Sequence, residues 1–331
     1  MAKLLVIGDL HYDISDLVIA QLFNDYIADH LKEKRYDAAV LLGDVFDKFE
    51  TVQTMTNVYV NNLIEIISSH CHLYILVGNH DFINARQFQT KNHSLIAYDG
   101  WKNVTVVDKA QKVKINKQNI ILCPYVPTGR FLEALEAVPK WEYVKVIFAH
   151  QEFLGCQMGG RVSTLGDGWS EKFPMVVSGH CHDKHKVGNV FYVGTPYDTS
   201  FSSCDRYIGS VSISSEKIKL KHIQTTLPKK IGLAFTLEEA EEWEPQDNNV
   251  YRLKLKCSKK EYQCFCQSDH GKQLKKSGVK LLHISLDKEE VDKFLKMKKE
   301  AIGGCKTYSE IFQHSIEKEG LSVVAKKVLE N

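Results

Sequence analysis

The feature that most constrains this chain is a repeated junction, an apolar run that ends in glycine followed at once by a polar, metal-competent residue. Lys3-Leu-Leu-Val-Ile7 leads into Gly8-Asp9-Leu10-His11, and Ala38-Ala-Val-Leu-Leu42 leads into Gly43-Asp44-Val45-Phe46-Asp47. Leu73-Tyr-Ile-Leu-Val77 leads into Gly78-Asn79-His80-Asp81. Asp9, Asp44 and Asn79 follow one another at intervals of 35 residues, about one strand–helix unit. Continuous apolar runs of this length predict strands buried on both faces. Three such parallel strands would present Asp, Asp and Asn side by side at their carboxyl ends, where open α/β sheets bind ligands.

Two later apolar runs also end in metal-competent residues, the first of them without a glycine. Residues 144–149 run into His150, and residues 174–178 into Gly179-His180-Cys181-His182. Between the first three junctions, residues 16–34 and 51–69 carry apolar side chains at helical spacing, and a further helical stretch is expected around 87–98. Short strands at 104–107, 111–115 and 119–126 read as an antiparallel portion of sheet, and 128–138 as a helix. Residues 151–170 hold seven Gly, Ser or Thr positions before Trp169 and read as an irregular loop, and 185–195, 207–214 and 217–225 read as closing strands. The expected class is α/β, a four-layer α/β/β/α sandwich of two mixed sheets with helices outside.

Pro228 and the run 238–247, with six carboxylates, mark a boundary after which the pattern restarts. Strands at 250–257 and 279–286, with helices at 259–276 and 288–301, form a small α+β module, and Gly303-Gly304 separates it from helices at 307–318 and 321–329. The expected division is therefore 1–227 as core, 228–302 as capping module and 303–331 as C-terminal helices. Residues 250–299 hold fourteen Lys or Arg against six Asp or Glu, a basic surplus that could meet DNA phosphates.

Asp9, His11, Asp44, Asn79, His150, His180 and His182 form a mixed nitrogen and oxygen set without thiolate, suited to two divalent cations rather than to structural zinc. Two cations bridged by one carboxylate polarise a phosphoryl group and generate hydroxide between them. Asp44, on the middle strand, is the natural bridge. Cys181 is expected to pack inward because neighbours in an extended segment point to opposite faces. His93 and His185 lie outside the pattern and are expected at the surface. Nine cysteines without regular spacing argue for a reducing, intracellular setting and a soluble protein, and no apolar run reaches the ~18 residues of a membrane span.

The ordered set of five motifs, across residues 3–196, resembles the calcineurin-like metallophosphoesterase family. The resemblance implies one metal on Asp9, His11, Asp44 and His182, and another on Asp44, Asn79, His150 and His180. It leaves His80 off the metals, placed to protonate the leaving oxygen or stabilise the phosphorane and oriented by Asp81, with Asp47 behind the ligands. Within the family, Gly43-Asp-Val-Phe-Asp47 and Tyr192-Val-Gly-Thr-Pro196 are most similar to the nuclease subunits of double-strand-break-repair complexes, SbcD-like and T-even-phage-like. That likeness implies a DNA exo- or endonuclease of repair and recombination using manganese, with magnesium, iron or zinc as alternatives. Its expected partners are DNA, the coiled coil of an SbcC-like ABC-type ATPase docked on the C-terminal helices, and a second copy of the chain. Competing expectations are a phosphomonoesterase or cyclic-nucleotide phosphodiesterase on the same core, and a non-catalytic scaffold, which the intact His80 and seven ligands disfavour.

Overall fold

A computed structural model describes residues 1–285 apart from 50, 202 and 203. In chain order the elements of the larger compact unit are β1 (Ala2–Ile7), α1 (Leu17–Glu33), β2 (Ala38–Leu41), α2 (Thr54–His70), β3 (His72–Leu76) and β4 (Val104–Val107). There follow β5 (Gln111–Ile115), β6 (Gln118–Cys123), α3 (Phe131–Glu136), β7 (Val146–His150), β8 (Gln157–Met158) and β9 (Arg161–Val162). The unit closes with β10 (Met175–Gly179), β11 (His185–Val187), β12 (Val190–Tyr192), β13 (Tyr207–Ile213) and β14 (Ile218–Gln224).

Two six-stranded mixed sheets result, in the orders β14-β13-β1-β2-β3-β4 and β11-β12-β10-β7-β6-β5. Their facing sides share one apolar layer, with Val6, Val40 and Leu76 from the first sheet meeting Leu122, Phe148 and Val177 from the second. The outer side of the first sheet is covered by α1 and α2 through Phe23, Ile27, Leu63 and Ile67, at the three- and four-residue spacing that puts them on one helix face. Phe131, Leu135, Trp141 and Phe153 cover the outer side of the second sheet. Each such large apolar side chain, once buried, contributes on the order of 1.5–3 kcal/mol. This is the expected four-layer α/β/β/α arrangement.

Parallel pairing fixes what the sheet edges display. β1, β2 and β3 are neighbours in register, with Ile7 beside Leu41 and Leu41 beside Ile75, so the three polar turns leave the sheet together. In the second sheet Gly179 pairs with His150, which brings the turn after β10 against the end of β7.

Three local expectations need correction. Residues 87–98 form a helix only in the short 3-10 turn Ser94–Tyr98. Upstream of it Asn84, Gln87, Thr90 and Asn92 hydrogen-bond with one another and with nearby backbone, the competition that disfavours helix. β4 is not part of an antiparallel group: it pairs parallel to β3 and ends the first sheet, while the β5–β6 hairpin opens the second. Residues 151–170 are not wholly irregular, since β8 and β9 pair as a small hairpin.

Among the described residues the smaller unit comprises Leu233–Glu244 and 252–285. Its elements include α4 (Leu237–Glu242), β16 (Val250–Lys256), α5 (Lys259–Gln267), α6 (Asp269–Lys276) and β17 (Lys280–Ile284), with β15 (Lys230–Phe235) leading in and the sheet order β15-β16-β17. The helix expected at 259–276 is broken at Ser268, which ends α5 and caps α6 through its side chain. The helices expected at 288–301, 307–318 and 321–329, and hence the 303–331 segment, lie outside the described residues. Among the described residues no helix is long and apolar enough to cross a membrane.

Candidate metal centre

The five turns converge. Asp44, on the middle strand, divides its carboxylate between two tasks: Oδ1 accepts the His80 N–H at 2.8 Å, while Oδ2 stands 3.3 Å from His150 Nε2 and 3.6 Å from His11 Nε2. On one side of it, Asp9, His11 and His182 bring their donor atoms together, with 3.0 Å between the two Nε2 atoms. On the other side, Asn79 Oδ1 lies 2.9 Å from both His150 Nε2 and His180 Nδ1, which are themselves 3.3 Å apart. All seven expected ligands are thus in one cluster, meeting at Asp44.

The backbone is bent to achieve this. His11, Asp44 and His180 all have positive φ, at 47°, 50° and 76°. For residues other than glycine such conformations cost on the order of 1–3 kcal/mol each and persist where the surroundings enforce them. Two glycines make the approach of the turns feasible. A Cβ on Gly78 would fall 2.2 Å from Asp44 Oδ1, and one on Gly43, whose φ is 106°, would fall 2.6 Å from His150 Nδ1.

The donor set fits divalent cations. Asp9 Oδ1 accepts the His180 N–H at 2.6 Å, but its Oδ2 is buried without a hydrogen-bonding partner among the described residues. A buried, unpartnered carboxylate oxygen is costly unless a cation meets it. His150 Nδ1–H donates to the Leu42 carbonyl at 2.8 Å, which fixes the tautomer and turns the lone pair of Nε2 toward Asn79, His180 and Asp44. Oxygen and imidazole without sulfur suit manganese, iron or zinc. Cys181 turns away from the cluster and is buried in the outer apolar layer.

The family model for calcineurin-like phosphoesterases matches residues 2–184, the stretch that carries all five turns. The chain belongs to the calcineurin-like phosphoesterase family. Protein 078R of Invertebrate iridescent virus 3, a phosphoesterase by name, is 32 % identical over 83 % of this chain and 82 % of its own length. The SbcD component of the SbcCD nuclease of Escherichia coli K12 is 21 % identical over 72 % of each chain. Exonuclease subunit 1 of Enterobacteria phage T4 is 26 % identical over 59 % of each chain. This protein is accordingly a phosphoesterase hydrolase of a divalent-metal family, with distant homology to nuclease subunits.

The electrostatics of this calcineurin-like site follow from crowding. Burial alone would lower His150, but Asp44, with Asp9 beside it, carries it up to about 9. Burial, then the neighbouring His150, brings His180 down to about 4. Burial would raise Asp44, yet His150 and His11 outweigh it and hold the carboxyl well below its usual range. Asp81 goes the other way: burial and the Asp44 charge push it up to about 7, against backbone N–H donors that favour its anion.

His80 and Asp81 take up places that differ from the implied pairing. The Asp81 carboxylate accepts from the N–H groups of Val45, Phe46 and Gly78, at 3.0, 3.1 and 2.9 Å, and so ties the second turn to the third. The His80 ring is held instead by the Asp47 carbonyl, which accepts its Nδ1–H at 2.6 Å, and by Phe49 stacked on it with centroids 4.7 Å apart. Of the two histidines expected at the surface, His93 is buried and His185 is half-buried. His93 is buried beside Asp108 and Phe82, and His185 is stacked on Tyr192 at 4.4 Å with its Nε2 accepting the Gln157 N–H.

Two residues support the ligands, Asp47 from the second motif and Arg206 from outside any motif. Asp47 Oδ1 stands 3.4 Å from His11 Nδ1, behind the ligand as expected. Arg206 donates to the His182 carbonyl at 2.9 Å and pairs with Asp183 and the buried Asp198, bracing the turn that carries His180 and His182. Only the buried, paired guanidinium reveals that role, and a single sequence cannot display it.

Proposed function

We propose that this chain is a manganese-dependent nuclease subunit that hydrolyses DNA phosphodiester bonds in repair or recombination. Asp9, His11, Asp44 and His182 would hold one cation, and Asp44, Asn79, His150 and His180 would hold the other. The observation that carries the reading is the placement of Asp44 Oδ2 between His150 and His11, as a carboxylate shared by two cations requires. When bound, the cations supply polarisation of the phosphoryl oxygen and a nucleophile from water at neutral pH.

The remaining work falls to the chain's own groups. Asp44 Oδ1, by accepting the His80 N–H, fixes the third turn relative to the shared carboxylate. His80, with Nδ1–H committed to the Asp47 carbonyl, offers Nε2 as the atom that gives its proton to the departing sugar oxygen. Asp81 acts by holding the two turns together rather than by touching substrate. DNA is favoured as substrate by the nuclease and exonuclease subunits among the relatives and by the basic surplus over 250–299. In this reading 1–227 is the catalytic core, 228–302 a capping module that contacts DNA, and 303–331 the docking segment for an SbcC-like coiled-coil ATPase, within a homodimer inside the cell.

The test is degradation of linear and circular DNA by the purified chain with and without manganese. Asp44→Ala is expected to abolish manganese uptake and cleavage together. His80→Ala is expected to retain manganese while losing about 10²–10⁴-fold in rate. DNA left intact beside rapid hydrolysis of small phosphate esters would replace this reading with the phosphomonoesterase one.

A further inference from the structure

The segment that follows His150 has a built stem. The Leu154 N–H donates to the Asp167 carbonyl at 3.0 Å, and the Asp167 N–H to the Glu152 carbonyl at 2.9 Å. Further along, the Gly155 N–H donates to the Ser163 carbonyl at 2.9 Å, and the Ser163 N–H to the Cys156 carbonyl at 2.8 Å. Gln151, fully buried, donates through Nε2 to Asp167 Oδ2 at 2.7 Å and accepts the Val126 N–H at 3.2 Å. The two sides approach so closely that a Cβ on Gly166 would lie 2.5 Å from the Phe153 carbonyl carbon. Glu152 therefore departs from a fixed backbone.

Its carboxylate is held at one oxygen and aimed with the other. Oε1 accepts from the Ser163 hydroxyl, which itself accepts the Gly166 N–H at 3.0 Å. Oε2 faces His180 Nε2 at 3.9 Å, and the two side chains are only 22 % and 14 % exposed. His180 turns Nδ1 toward Asn79 and His150. A neutral imidazole that offers Nδ1 as a ligand carries its proton on Nε2, and that proton needs an acceptor. Glu152 is the carboxylate that faces it.

We propose that Glu152 is a positioning residue for the cation site of Asp44, Asn79, His150 and His180, accepting Nε2–H of His180 and thereby fixing the ring and strengthening Nδ1 as a donor. The proposal rests on the metal-centre reading given above. Carboxylates behind ligating histidines act in this way, and their loss costs about 10–100-fold in metal affinity. Ser163 extends the device, because its hydroxyl locks the second carboxylate oxygen and joins the β8–β9 hairpin to a metal ligand.

The experiment is calorimetric titration of manganese into the full chain as wild type, Glu152→Ala, Glu152→Asp and Glu152→Leu, with thermal unfolding after chelation as the check on folding. Wild type is expected to show two sites, and Glu152→Ala to weaken one of them about 10–100-fold while the other keeps its affinity. Glu152→Asp, which retains an acceptor, is expected to recover part of the loss. Unchanged affinities in Glu152→Ala overturn the proposal and leave the metal centre standing, as does equal weakening of both sites that Glu152→Asp fails to relieve. Should Glu152→Ala not fold, Glu152→Leu, which keeps the bulk but offers no acceptor, decides, with wild-type affinity at both sites as the overturning result. A wild type that binds no manganese removes this proposal and the metal centre together.

Discussion

The two halves of the cluster are built differently, although they share Asp44. Both halves take groups from both sheets, but the half made by Asn79, His150 and His180 centres on a ring sealed in the core. His150 is wholly buried and its Nδ1–H is spent on the Leu42 carbonyl. The half made by Asp9, His11 and His182 is open on one side, where His11 borders a polar cavity of about 120 Å³ lined also by Asp13, Asp16, Asp47 and Thr199. His182 is held there by a long contact, 3.4 Å, between its Nδ1 and the Thr199 hydroxyl. In the first half His150 is part of the protein's core and is fixed by packing. The second keeps Asp9 and His11 buried but has a rim, where His182 and the cavity border solvent and neighbouring polar groups fix the donors.

That contrast is broken most forcefully by removing one histidine from each half. In His150→Ala the Leu42 carbonyl loses its donor inside the core and a void opens between the sheets. An unpaired buried acceptor alone costs about 1–3 kcal/mol. His182→Ala removes a partly exposed ring from the rim and is expected to cost well under half as much. Thermal unfolding of the chelated variants measures the difference. Equal losses would mean that the two halves are equally integral to the fold.

A smaller effect separates the halves by pH. His150 is raised to about 9 by Asp44 and Asp9 against its burial, whereas an unfolded histidine titrates near 6.5. A histidine raised on folding contributes stability that is complete below the unfolded value and fades as pH climbs through the folded one. The chelated protein is therefore expected to lose thermal stability between pH about 6.5 and about 9. His182, lowered from its ordinary value mainly by burial, contributes in the opposite sense, losing stability as pH falls below about 6.5. Replacing His150 by alanine should flatten the alkaline slope, and replacing His182 should leave it. An alkaline slope that survives in His150→Ala would remove that residue as its source.

What could be read in advance was whatever the chain writes locally. A buried strand announces itself by an unbroken apolar run, and the polar residues just past its end have one place to go, the sheet's carboxyl edge. Hence Asp9, Asp44, Asn79, His150, His180 and His182 could be assigned to one spot before any coordinates. The supporting contacts join residues with no such signature. Glu152 and His180 are brought together by a stem whose hydrogen bonds are backbone groups, and the group that holds His80 is the carbonyl of Asp47, which every residue possesses. His93 was unreadable for a related reason. Its isolated bridge to Phe82 and its neighbour Asp108 come from separate parts of the chain, and nothing in its own surroundings is apolar at a regular period.

The finest distinction between the halves lies in Asp47, which serves the rim with two different atoms. Its carboxylate stands behind His11, with Oδ1 at 3.4 Å from Nδ1, and its backbone carbonyl accepts the proton of His80 Nδ1. His11, first by hydrogen bonding and then by its charge, outweighs burial and holds the Asp47 carboxyl below its ordinary range. Asp47→Asn keeps the carbonyl and the side-chain volume but removes the negative charge from behind the ligand. The rim cation should then bind about 10-fold more weakly, the lower end of what such supporting groups contribute, because this carboxylate is 42 % exposed and water replaces part of it. The rate at saturating manganese should be almost unchanged, since His80 keeps its partner. A large fall in that rate with unaltered manganese affinity would instead place the Asp47 side chain, rather than its carbonyl, in contact with the reacting phosphate.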